Sequence, residues 1–206
     1  IAMRWARESG GNDETRAWAA KLLTTASATH KAMLLDMLGQ RGDKSARAEI
    51  EPLMKDSDNM IAAGALRAMI SLGQAEFADC VPALLQDLTQ ERLNIVRDNL
   101  RLLKTEHLVK QLAAGYDKFS DHGKRVALEL LRERRTKAAA AIGVSSLSSP
   151  DEAIVMQGFR LLREAADASH SGLLTEKLLS VNDKLRPEAQ TAFAAAARRD
   201  TTTAYT

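Results

Sequence analysis

The chain has 206 residues, 45% hydrophobic but only 4% aromatic, so a core has ample material but few of the large side chains a sheet sandwich uses. Its 29 basic and 27 acidic groups leave a formal charge of +2, which forces neither a nucleic-acid nor a membrane partner. A single cysteine, Cys80, excludes an intrachain disulfide and a thiolate metal cluster, and no run of about 18 apolar residues offers a membrane span.

Read in chain order, the pattern is helical throughout. Ile1 to Glu8 is a helix-like stub with no cap in front of it and no signal-type segment, so the chain is expected to be part of a longer protein. Gly10 and Gly11 end the stub, and Asn12 or Asp13 caps a segment carrying Arg16, Ala17, Ala20 and Leu23. Ala28 to Leu38 places Ala32, Leu35 and Leu38 on one face and stops at Gly39 and Gly42. A turn through Asp43 and Ser45 leads to Ala46, Ile50, Leu53 and Met54, with Pro52 expected to kink the helix unless it begins nearby. Asp58 to Leu72 has a wide apolar face built on Ile61, Ala65, Ala68 and Leu72, broadened by Ala62, Leu66 and Met69.

The alternation then repeats. Phe77, Val81, Leu84, Leu85 and Leu88, with Pro82 inside, are followed by Leu93, Val96, Leu100 and Leu103. Leu108, Leu112 and Tyr116 precede a start at Ser120 or Asp121 and the run Val126, Leu128, Leu130 and Leu131. Thr136 to Leu147 has poor helical persistence because of Gly143 and its serine-rich end. Ser149-Pro150-Asp151-Glu152 is a strong helix start, leading to Ile154, Gly158, Leu161, Leu162 and Ala165. Leu173, Leu174, Leu178 and Leu179 and then Arg186 to Arg199, with Ala189, Phe193 and Ala196, make the last pair.

The turns that open the second segment of each pair fall near Ala28, Asp58, Glu91, Asp121, Asp151 and Asp183, spaced 30, 33, 30, 30 and 32 residues apart. A repeat of that length means stacked helical hairpins, each covering an apolar face its neighbour cannot bury alone. The expected architecture is all-α: a right-handed α-α superhelix, or solenoid, of about six hairpins. It forms one domain over residues 1–200 with a polar tail over 201–206, short helices in one layer and longer helices in the other.

Ile50-Glu-Pro-Leu-Met-Lys-Asp56, followed by Asp58-Asn-Met-Ile-Ala-Ala-Gly-Ala-Leu-Arg-Ala-Met-Ile-Ser-Leu-Gly73, resembles HEAT repeats of the short bacterial type, with a proline in the first helix, an aspartate at the turn and alanine in the second. Val81-Pro-Ala-Leu-Leu-Gln-Asp87 is similar to the first-helix half again. The resemblance spans nearly the whole chain by period but only residues 46–103 by motif, and later units lack the proline. Counted from their helix starts, Leu66 lies opposite Asn99 with Leu100 beside it, so register shifts by a residue between those units. The resemblance implies stacked, armadillo-like helical hairpins, a fold used by scaffolds, by peptide- and protein-binding surfaces, by lyase-associated domains and by some nucleic-acid binders.

Chemistry is sparsely advertised. His30, His107, His122 and His170 sit at turns or helix starts with no partner histidine three or four residues away, so no metal or other cofactor is expected. Asp56 and Asp58 flank a turn, where capping accounts for them, and Cys80 lacks a nearby histidine and reads as semi-buried. The glycine pairs lack the lysine and hydroxyl companions of a phosphate loop.

Charge is the clearest functional signal. Residues 92–137 carry 12 basic and 6 acidic side chains. Lys124, Arg125, Arg132, Arg134, Arg135 and Lys137, joined by Arg97, Arg101 and Lys104, are candidates for contacting an acidic partner or polyanion, although Glu129 and Glu133 intersperse them and no aromatic platform accompanies them. Trp5 and Trp18, the only tryptophans, are candidates for closing the first hairpin or meeting an upstream unit.

The expected function is protein interaction or intramolecular scaffolding, with a protein or another domain of the same protein as partner. Nucleic-acid binding and a helical-repeat lyase or glycosylase activity are the alternatives. The chain is expected to be soluble, cytoplasmic or periplasmic.

Overall fold

The computed structural model describes residues 11–134 and 136–203, and every regular element among them is helical. In chain order the α-helices are α1 (Asn12–Thr25), α2 (Ala28–Arg41), α3 (Arg47–Ile50), α4 (Asn59–Leu72), α5 (Gln74–Ala78), α6 (Val81–Gln86), α7 (Leu93–Leu100), α8 (Glu106–Gly115), α9 (Asp121–Arg132), α10 (Lys137–Ser146), α11 (Glu152–Ala165), α12 (Ser171–Ser180) and α13 (Arg186–Thr203). The fold is all-α, built of stacked helical hairpins of the HEAT-like, α-solenoid type.

Local chemistry explains where the helices start. Ser27, Asp58, Ser120, Thr136 and Asp151 each turn a side-chain oxygen onto a free amide of the helix that follows. Asp58 accepts from the amides of Met60 (2.8 Å) and Ile61 (3.4 Å), the role expected of it. Gly42 closes α2 in the left-handed region at φ 72°, where a side chain would be strained.

Several expectations need correction. Gly39 does not stop α2; it lies inside the helix, and a Cβ there would stand 2.9 Å from the Ala68 Cα of α4. Gly143 likewise does not weaken α10, because it is buried where a Cβ would press on Leu162 of α11. Pro52 and Pro82 do not kink a continuous helix. Pro52 sits in a 3-10 turn, Glu51–Lys55, after α3 has ended, and Pro82 is the second residue of α6, where its missing amide costs no helical bond.

The short-then-long rule fails in the first pair, where α1 matches α2 at 14 residues, while α7, with only 8, still exceeds the 6 of α6. No side chain caps α7, since the N-cap residue is Arg92, whose guanidinium has no acceptor and donates to the carbonyls of Met54 (3.1 Å) and Asp56 (2.5 Å). At the other end, Thr201–Thr203 continue α13 rather than starting a tail.

The described chain divides into two compact units. The first runs to Leu84 and includes Gln90–Leu108. Here α2 packs on α4 and α4 on α7, so the second helices of successive hairpins lie side by side. Leu35, Leu66, Met69, Phe77 and Leu100 are fully buried among them, and Asn99 satisfies its amide on the Ile95 carbonyl at 2.8 Å. On α1 the buried face is Thr15, Ala19 and Leu23, while Ala17 is exposed.

The second unit comprises Leu85–Thr89 and the chain from Val109 onward. It repeats the arrangement: α9 packs on α11, α11 on α13, and the shorter α10 and α12 lie against α11 and α13. Its core holds Phe159, Leu162, Leu174, Ala189 and Ala196. Leu179, expected to share that face, is 81% exposed.

Polar contacts recur at about the repeat distance. Arg67 pairs with Asp36, Lys44 with Glu76, Arg160 with Glu188 and Lys184 with Glu152. Arg199 donates to the carbonyls of Arg163 (2.7 Å) and Ala166 (2.5 Å) at the end of α11, satisfying acceptors a helix terminus leaves free.

Candidate functional site

Three surfaces offer themselves: the basic residues, an apolar groove on the first hairpin, and a polar cleft in the second unit.

Four of the basic residues, Arg97, Arg101, Arg125 and Arg134, are engaged by neighbouring groups. In the first unit Arg97 Nε lies 2.9 Å from Asp98 Oδ1, which Arg101 approaches at 3.8 Å, and exposed Lys104 follows α7 with its amide on Gln74 Oε1. In the second, Arg125 donates to Asp151 Oδ2 at 2.5 Å while the other Asp151 oxygen caps α11. That hydrogen bond is the largest cause holding the Asp151 carboxyl below its usual range. Arg134 folds back onto the Leu130 carbonyl at 2.7 Å, and burial lowers its pKa from the ordinary arginine value. Arg132 ends α9 half-buried, and Lys124 stands half-buried in its first turn. Arg135, the side chain of Lys137, and Trp5 lie outside the described residues.

The groove is formed by α1 and α2. Trp18, Leu22, Ala26, His30, Met33 and Leu34 line a cavity of about 250 Å³ that is almost wholly apolar. Met33 is 51% exposed, unusual for a methionine beside a tryptophan. Only Trp18 was legible as a candidate; Met33 lies off the Ala32, Leu35, Leu38 stripe, and that offset was the available signal.

The cleft lies in the second unit, where Tyr116, Asp117, Asp121, Lys124, Ser145 and Ser149 line about 330 Å³. Tyr116 is 5% exposed, and its hydroxyl has no hydrogen-bond partner. Nearby Ser146 Oγ donates to the Gly143 carbonyl at 2.6 Å instead. Burial first, then the charge of Asp117, raises the Tyr116 pKa far above the usual phenol value, so it is a neutral donor.

The remaining candidates are structural. His30 contacts its capping Ser27, His107 Nε2 lies 2.7 Å from Asp79, and His170 completes a capping box with Asp167. Cys80 lines a further cavity with Glu51 and Pro52, where burial first and the Glu51 charge second raise the thiol pKa and disfavour the thiolate. Among the described residues no set of three or more His, Cys, Asp or Glu side chains is placed to hold a metal ion, and no helix is long and apolar enough to cross a membrane.

No family model and no curated protein matches the chain. Among solved structures, that of an engineered protein is similar with a TM-score of 0.52 at 16% identity, over 92% of this chain and 98% of its own. The likeness is one of fold. Human deoxyhypusine hydroxylase in complex with glycerol is similar with a TM-score of 0.43 at 16% identity, over 96% of this chain and 89% of its own. A designed armadillo repeat protein has a TM-score of 0.43 at 17% identity, over 95% and 98%.

Proposed function

We propose that the chain is a protein-interaction or intramolecular scaffolding module that seats the apolar side of an amphipathic helix, from a partner protein or another domain, in the α1–α2 groove. The observation that carries this reading is the exposure of Met33 beside Trp18 over an apolar cavity, on helices whose sibling faces are covered by the next helix. Covering such a surface follows the same physics as stacking one hairpin on the next, and Met and Trp suit a helix-accepting groove because one is adaptable and the other presents a large area.

A photo-crosslinking residue at Met33 should trap one discrete polypeptide segment, and Leu22→Glu, with helicity retained by circular dichroism, should abolish it. An equal pattern from a probe at Leu179, or capture unaffected by Leu22→Glu, would remove the basis for this reading.

The polyanion alternative has less support, since Arg97, Arg125 and Arg134 are committed to Asp98, Asp151 and a carbonyl. It requires duplex binding that weakens steeply with salt and is lost on neutralising Lys104 and Arg132. A lyase or glycosylase reading needs converging acids, and Asp58 is occupied as a cap.

A further inference from the structure

The chain has seven methionines, and the fold treats them unequally. Met37, Met54 and Met69 are no more than 4% exposed, and Met156 packs half-buried against the core of the second unit. Met33 and Met60 are each 51% exposed. Of the described methionines Met33 alone lines the α1–α2 groove, whereas Met60, in the first turn of α4, lies outside that lining.

A thioether is apolar, yet it is the most easily oxidised group in this wall. When a peroxide transfers one oxygen atom to the sulfur, the sulfur loses two electrons and hydrogen peroxide is reduced to water, leaving a sulfoxide. The side chain keeps nearly its size but gains a polar acceptor. Apart from His30, whose Nδ1 faces Ser27 Oγ at 2.8 Å, and the indole edge of Trp18, the side chains lining the groove hold no hydrogen-bond donor. In the open groove, water solvates the sulfoxide oxygen. An apolar helix face seated over it strips that water and returns no donor, so oxidation opposes docking and not folding.

We propose that Met33 is an oxidation site that switches the groove: its thioether form seats a helix and its sulfoxide form does not. A thiol-dependent reductase reverses the change, carrying the oxygen off as water while its two thiols become a disulfide. The inference rests on the groove reading above and names the regulation of that site.

The test uses the full chain with Cys80→Ser, which removes the competing thiol, and a synthetic, methionine-free amphipathic helix with a leucine face as probe. Hydrogen peroxide titration with peptide mass spectrometry should place sulfoxide on Met33 and Met60 well before Met37, Met54 and Met69. Excess probe should slow oxidation of Met33 but not of Met60. Affinity for the probe should fall about tenfold as Met33 sulfoxide accumulates, the effect of one polar group desolvated without a partner, and recover on treatment with methionine sulfoxide reductases of both stereospecificities. Met33→Leu should bind the probe and keep its affinity through peroxide treatment, whereas Met60→Leu should lose affinity as the parent does. Met33 oxidising no faster than Met69, unchanged affinity at full Met33 sulfoxide, or peroxide-sensitive binding in Met33→Leu would overturn the switch and leave the groove reading standing. Absence of probe binding before any peroxide is added would overturn the groove reading and the switch with it.

Discussion

At the scale of single residues, glycine separates what periodicity can reveal from what it hides. Gly123 sits where any Cβ would overlap the Leu85 carbonyl, and Gly158 where it would overlap Ser146 Oγ. Gly172 meets nothing within 4 Å. Gly123→Ala should therefore cost about 1–3 kcal/mol, the penalty of forcing a backbone apart. Gly172→Ala, early in α12, should gain a few tenths of a kcal/mol through helix propensity. Urea unfolding of the pair checks both signs, and equal effects would contradict the packing account. The apolar stripes of Leu35, Leu66 and Leu162 were legible because burial follows the helical period. The value of Gly39 or Gly143 was not, because propensity records a glycine's cost to its own helix and not the approach it allows from a helix further along the chain. Tyr116 was read correctly as core, but an unsatisfied hydroxyl depends on neighbours such as Ser146 that only the folded chain brings near.

At the scale of elements, helix ends are where charge and backbone meet. Asp151 both caps α11 and receives Arg125, and its carboxyl is held below the usual range by that arginine first. A carboxyl depressed on folding contributes stability that is complete above its unfolded pKa, about 4, and is lost as pH falls through the folded value. Glu152, shifted the same way chiefly by the hydrogen bond from Lys184, adds to the same window. Unfolding free energy should thus be nearly flat from about pH 5 to 7 and decline below about pH 4. Asp151→Asn keeps a capping oxygen but loses the charge. It should cost about 1 kcal/mol at neutral pH and make the acid decline shallower. An unchanged acid limb would mean that the Arg125 pairing contributes nothing. The capping role of Asp58 was readable from the chain alone, whereas the clamps made by Arg92 and Arg199 on carbonyls more than 30 residues earlier were not. A cap acts on its own helix, but a clamp is set by how hairpins meet.

At the scale of the molecule, each unit is held by nearest neighbours, with α4 between α2 and α7 in the first and α11 between α9 and α13 in the second. Stability in such an array is a sum of local terms, so damage should stay local. Leu66→Ala and Leu162→Ala, each removing a fully buried side chain, should cost about 2–5 kcal/mol. Hydrogen exchange should rise first in the helices packed on the altered one, around α4 in the first variant and α11 in the second. Uniform acceleration across both units would argue for a single cooperative core. The hairpin architecture could be anticipated at this scale because a 30-residue rhythm survives sequence drift. The α1–α2 groove could not, since a groove is defined by which faces are left bare.

The bridges between hairpins join positions about 30 residues apart, as in Arg67 to Asp36, Lys184 to Glu152 and Arg160 to Glu188. Such a protein can grow or shrink by recombination only in modular increments. Duplicating a whole repeat hands each orphaned charge a fresh counterpart in the right place, whereas inserting one residue into a helix turns the bridging side chains beyond it in that helix about 100° away from their partners.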